Sequence, residues 1–172
     1  MSDTGPRNGH DMTQLYLLRH ADAGDPEDWA GVDADRPLSE KGEAQAERLA
    51  TFLHGVRFAV DAVISSPRLR ARRTAEIVAD GLGNAVRIDE RLGGAFEPLT
   101  VDEILADAGG PRRVLLVGHD PDFSELLSTL ARADLTMKKA AFARIDVRGP
   151  VAEERGTLRW LIPADLLDRD RR

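Results

Sequence analysis

The chain contains no cysteine. Disulfides, thiolate metal sites and cysteine nucleophiles are thereby excluded. It also lacks an excess of positive charge, with 24 lysines and arginines against 30 aspartates and glutamates and a net charge of -6. A general nucleic-acid binder would carry a basic face, so that class is disfavoured. No apolar run approaches the length of a membrane span, and the N-terminus lacks the apolar centre of a signal peptide. Repeats, low-complexity linkers and an internal domain boundary are missing too. What remains is a chain of 172 residues with 42% apolar and 31% charged side chains, the composition and size of one cytoplasmic enzyme or binding domain with a proper core. Residues 1–13 read as a polar leader, 14–165 as a single domain and 166–172 as a charged tail.

Strand and helix patterns alternate within that domain. "LYLL", Leu15 to Leu18, is a strand buried on both faces, as in a parallel sheet. Ser39 caps a following helix whose Ala46, Leu49, Ala50 and Leu53 share one face. "AVDAVISS" is a second strand, and Ser66 with Pro67 opens a second helix that stops at Gly81 or Gly83. "AVRI" is a third strand, and Thr100 to Glu103 forms a capping box for a third helix that buries Val101, Ile104, Leu105 and Ala108. Val114 to Val117 is a fourth strand. It runs through Gly118–His119 into a helix capped by Asp120, with Pro121 in its first turn and Phe123, Leu126, Leu127 and Leu130 inside. "AFARIDV" and "TLRWLI" close the chain as two antiparallel strands. This order implies a three-layer α/β/α sandwich around a mostly parallel sheet.

In such sheets functional side chains gather beyond the C-terminal strand ends. The first strand ends in Arg19–His20, the second leads into a helix start carrying Arg68, Arg70, Arg72 and Arg73, and the fourth ends in Gly118–His119. Two histidines and at least two arginines thus converge on one edge. Guanidinium groups and helix N-termini bind several oxygens at once and so favour phosphate. An imidazole beside them can form a covalent phosphoryl intermediate, with the arginines neutralising the transition state. Blander roles suit the other candidates. His10 and His54 read as solvent-exposed, Arg68, Arg72 and Arg73 as a solvated helix face with Arg68 the one nearest to touching a substrate, and Ser66 first as a cap. Asp22, Asp25, Glu27 and Asp28 lack the glycine and distal glutamate of a calcium loop. The glycines at 81 and 83 follow a helix instead of opening one, unlike a nucleotide fingerprint.

"LLRHADA", "SPRLRARRTA" and "VGHDP" resemble, in order, the signature segments of the histidine phosphatase superfamily, the phosphoglycerate mutase-like family. Ala21 stands where its Arg-His-Gly motif has glycine. "DADRPLSEKGEAQAERLA" and the short length resemble the SixA-type phosphohistidine phosphatases. The resemblance implies that His20 is the nucleophile, Arg19 and Arg70 bind phosphate, and His119 contacts the phosphate and steadies the transition state. Arg68, Asp22 and Arg36 lie in matching segments as candidate substrate contacts. No metal or other cofactor is implied. The expected partner is a phosphohistidine-bearing protein or a small phosphorylated molecule, with no nucleic acid and no membrane. Family members acting on phosphomonoesters place an acid after the third strand. In "RIDERLGGAFEP" one register makes Glu90 that donor, and another sets Gly94 there and leaves none. The expected activity is phosphohistidine hydrolysis. Its alternatives are a phosphomonoesterase on a metabolite or nucleotide and, from another class, a non-catalytic phosphate-binding module. The short stretch between Arg70 and His119 disfavours a mutase.

Overall fold

A computed structural model describes residues 12–168. Six strands form one sheet: β1 (Met12–Arg19), β2 (Ala62–Ser65), β3 (Val86–Ile88), β4 (Arg113–Gly118), β5 (Phe142–Arg148) and β6 (Gly156–Ile162), in the order β3-β2-β4-β1-β5-β6. β1, β2, β3 and β4 pair in parallel, and β5 and β6 add on as antiparallel strands. Four helices, α1 (Glu40–Gly55), α2 (Leu69–Leu82), α3 (Pro98–Asp107) and α4 (Asp122–Ala131), cover the sheet. This is the sandwich that the alternation of patterns implies.

β1 is buried on both faces because its side chains alternate between two cores. Leu15 and Leu17 pack with Ile64, Leu116, the α3 residues Val101, Ile104 and Leu105, and the α4 residues Phe123 and Leu127. Tyr16 and Leu18 pack with Val63, Val117, Leu49 and Leu53 of α1, and Ala71, Ala75 and Val78 of α2. A run with no polar position is what a strand between two helical layers requires.

Several boundaries differ from the sequence reading. Met12 and Thr13, placed in the leader, pair with Arg148 and Val147 and belong to β1; the leader's other residues lie outside the described ones. The second helix begins at Leu69, not at Pro67, because Ser66 and Pro67 still belong to the turn out of β2. α3 starts at Pro98, ahead of the expected capping box at Thr100, since proline's fixed φ suits a first helical turn. Asp120 also precedes α4, whose cap position is Pro121, but its carboxylate still accepts from Ser124 N–H and Oγ. The 3-10 turn Ala164–Leu167 runs across the expected boundary at 165 into the tail, and residues 169–172 lie outside the described ones.

The register of the parallel strands levels their C-terminal ends. Leu18 lies opposite Val117, Ser65 is also opposite Val117, and Arg19 is opposite Gly118. His20 N–H then donates to Gly118 O at 2.9 Å and Ser66 N–H to Val117 O at 2.9 Å. Two glycines permit the close packing here. A Cβ on Gly118 would fall 2.7 Å from the Phe123 ring, and one on Gly42, in the first turn of α1, only 1.9 Å from the Asp22 carbonyl oxygen. That carbonyl also accepts from Ser39 N–H at 3.0 Å, while Ser39 Oγ caps α1 at Gly42 N–H. The helix start is therefore pressed onto the chain leaving His20. Gly42→Ala is expected to lower stability by about 1–3 kcal/mol, the cost of overpacking a filled site, visible as a reduced Tm in thermal unfolding; an unchanged Tm would contradict this packing.

Candidate active site

His20, His119, Arg19 and Arg70 meet at the levelled strand ends. The two imidazole rings lie 5.2 Å apart between centroids, and all but Arg19 are buried residues. His20 Nδ1 is 2.7 Å from the Ala21 carbonyl oxygen. A carbonyl can only accept, so Nδ1 carries the proton and the Nε2 lone pair is free. Arg70 Nε donates to that Nε2 at 3.3 Å. The peptide after His20 is itself held, since Ala21 N–H donates to Thr74 Oγ1 at 3.1 Å. The first strand thus delivers an imidazole with a fixed tautomer and one nitrogen turned to a guanidinium.

His119 is set by a residue that the sequence assigned first to a cap. Ser66 Oγ lies 2.7 Å from His119 Nε2 and accepts from Arg68 N–H at 3.3 Å. In the tautomer in which Ser66 Oγ donates its proton to Nε2, the His119 proton sits on Nδ1. That Nδ1 and Arg19 Nε are buried polar atoms without a hydrogen-bond partner. Such orphans are costly, and two donors at one site suit an anion. Arg19 is otherwise anchored, with Nη1 donating to Met137 O at 2.8 Å and 3.7 Å from Asp120 Oδ2.

Burial drives both histidines toward the neutral form. The His20 pKa falls to about 4, with burial the main cause; the Ala21 contact works against it, and the charges of Arg70, Arg19 and Arg36 add to it. His119 falls to about 3 through burial, then through His20 and Arg70. A neutral His20 is a competent nucleophile and a protonated one is not.

The remaining candidates divide. Asp22 turns away to hold α1 and the loop, accepting from Lys139 Nζ at 2.8 Å, Ser39 Oγ at 2.6 Å and Gly24 N–H at 3.2 Å. Burial would raise its carboxyl, but those hydrogen bonds override it and keep it far below the ordinary range. Arg36 is buried and clamps the chain beyond His20, with Nη1 donating to Ala23 O at 2.8 Å. Arg68 stands half-exposed, 3.6 Å from Asp33. Glu90 is exposed on the 3-10 turn Glu90–Gly93 after β3. Arg72 pairs with Glu76 and Arg73 with Glu43, as a solvated helix face would. His54 is exposed and His10 lies outside the described residues.

Sequence reasoning missed Asp33. Its Oδ2 accepts from Arg70 Nη2 at 3.0 Å, its carbonyl from Arg70 Nη1 at 2.7 Å, and its Oδ1 from Arg36 Nε at 3.0 Å. Burial acts to raise this carboxyl, but the Arg36 hydrogen bond and the Arg70 charge hold it below the usual range.

The family model of the histidine phosphatase superfamily, branch 1, matches residues 15–109. The chain belongs to this superfamily. It is a hydrolase of the phosphatase type that uses a histidine. An uncharacterized protein of Picosynechococcus sp. is 37% identical over 138 residues, 74% of this chain and 81% of that protein. A solved structure of the protein histidine phosphatase SixA complexed with tungstate is similar, with a TM-score of 0.76, 26% identity and coverage of 91% of this chain and 100% of that one. A probable phosphoglycerate mutase of Escherichia fergusonii is 35% identical over 112 residues, which span 62% of this chain but 51% of the mutase.

Imidazole titration follows from this environment. Below the ordinary pKa of 6.5 an unfolded chain protonates at histidine before the folded superfamily member does, so these two residues favour the folded state less as pH falls from 6.5 toward about 4. In ligand-free protein, imidazole 15N NMR should find His20 and His119 neutral from pH 8 to pH 5. A titration of either near 6.5 would contradict the burial described.

Proposed function

We propose that this chain is a phosphohistidine phosphatase of the SixA type. His20 Nε2 attacks the phosphorus, forming an N–P bond as the bond to the leaving group breaks. Arg19, Arg70 and His119 Nδ1 bind the three equatorial oxygens, where negative charge gathers. Water then attacks the phosphoryl group, releasing phosphate and returning the electron pair to Nε2. That nitrogen is suited to the task because Ala21 fixes the proton on Nδ1.

The observation that carries the choice of substrate is the arrangement of acids around the site. Expelling an alkoxide requires a proton donor, whereas an imidazole leaves more readily and can take its proton from water. Asp33 reaches Arg70 but is held ionised by Arg36 and Arg70. Glu90 is exposed. Beyond it, Gly93 packs against Pro67, where a Cβ would fall 3.1 Å from the ring and 3.8 Å from Ser66 Oγ, and neither Gly93 nor Gly94 has a side chain to donate a proton. With Glu90 exposed, the stretch is read in the register that leaves no donor. A shallow cleft beside Arg19 carries Lys41, Lys138 and Lys139 against the carboxylates Asp22 and Asp165, with Lys139 paired to Asp22; its net positive charge suits a phosphohistidine carried on an acidic protein surface.

The enzyme should cleave protein phosphohistidine and activated aryl phosphates far better than alkyl phosphates. Glu90→Gln should change the rate by less than about tenfold, below the usual range for acid–base groups. A panel of phosphohistidine protein, aryl phosphate and sugar or glycerate phosphates, assayed with both forms, decides the matter. Efficient alkyl phosphate hydrolysis that collapses in Glu90→Gln would favour a metabolite phosphatase instead.

A further inference from the structure

The guanidinium of Arg70 offers two usable edges. Its end, Nη1 and Nη2, is taken by the carbonyl and carboxylate of Asp33, at 2.7 and 3.0 Å. Its side, led by Nε, faces His20 Nε2 at 3.3 Å. Because the group is planar and rigid, fixing one edge fixes the direction of the other.

Asp33 can act as such an anchor because it is anchored itself. Arg36 Nε donates to its Oδ1 at 3.0 Å, and Arg36 N–H to its carbonyl at 3.2 Å. Arg36 is in turn buried and bound to Ala23 O. A chain of contacts therefore runs from the backbone beyond His20, through Arg36 and Asp33, to Arg70 and back to His20. Every residue from Gly24 to Asp35 is exposed, so this loop has little core of its own and enters the site through Asp33. Two of Arg70's donors spent on a half-exposed aspartate would be wasteful if phosphate needed them. They are well used if phosphate needs the Nε edge held still, since an unanchored arginine would lose rotamer freedom on each binding event.

We propose that Asp33 is a positioning residue that aims the Nε edge of Arg70 at the phosphoryl group on His20. The proposal rests on the reading that His20 and Arg70 bind that group. The opposite role, a carboxylate that occupies Arg70 and must be displaced by phosphate, makes the opposite prediction for affinity.

A double-mutant cycle separates the roles. Vanadate binding by calorimetry and aryl phosphate kcat/KM are measured for the wild-type protein, Asp33→Ala, Arg70→Ala and the double variant. Asp33→Ala should weaken vanadate binding and lower kcat/KM by about tenfold, within the range of coupled neighbours. Asp33→Asn, which keeps an acceptor and the carbonyl contact, should recover part of the loss. In the Arg70→Ala background, removal of Asp33 should cost nothing further. Tighter vanadate binding in Asp33→Ala, wild-type behaviour, or the same loss with and without Arg70 would each overturn the proposal; the last would assign Asp33 to the loop alone. If the wild-type protein bound vanadate but turned over no aryl phosphate, the phosphatase reading would fail while the binding cycle still decided the role of Asp33.

Discussion

Everything at this site depends on three parallel strands stopping at one height. The pairing of β1, β4 and β2 sets Arg19 opposite Gly118 and Ser65 opposite Val117. The next residue of each strand, His20, His119 and Ser66, leaves the sheet at the same edge. A slip of one residue in β1 would turn Leu15 and Leu17 into the wrong helical layer and carry His20 away from Arg70. The two apolar cores that hold this register are therefore as much a part of the site as the polar groups.

Above that edge, the proton of His20 is assigned by a neighbour that can only accept, and a hydroxyl faces His119. The Ala21 carbonyl can only accept, so His20 keeps its proton on Nδ1; Ser66 accepts from Arg68 N–H and lies in hydrogen-bond contact with His119 Nε2. Burial then keeps both rings neutral. The positive charge comes from arginines, which stay ionised in the same surroundings. A neutral imidazole among fixed cations is the electrostatic arrangement that the proposed phosphoryl transfer requires.

Much of this was legible from residues alone where the signal was local. Four leucine and tyrosine side chains before Arg19 marked β1, Ser39 marked the start of α1, and the strand–turn–helix around Gly118–His119 stood out by periodicity. The start of α2 differs from its sequence pattern because capping chemistry there serves another group. Ser66 has the chemistry of a cap, yet its hydroxyl belongs to His119, and α2 begins only at Leu69. Asp33 could not be read because its meaning lies in Arg70, far along the chain, and nothing distinguishes it locally from the other acids of its loop. The nearest sequence signal is its spacing to Arg36, three residues on, a pair the matched "DADRPLS" segment contains without explanation.

In the proposed mechanism His20 carries the phosphoryl group during turnover. Enzyme quenched in alkali while hydrolysing labelled aryl phosphate should hold the label on His20, in a bond stable to alkali and labile to acid, and His20→Ala should hold none while unfolding at the wild-type temperature. Label on a serine or aspartate, or undiminished turnover in His20→Ala, would contradict it.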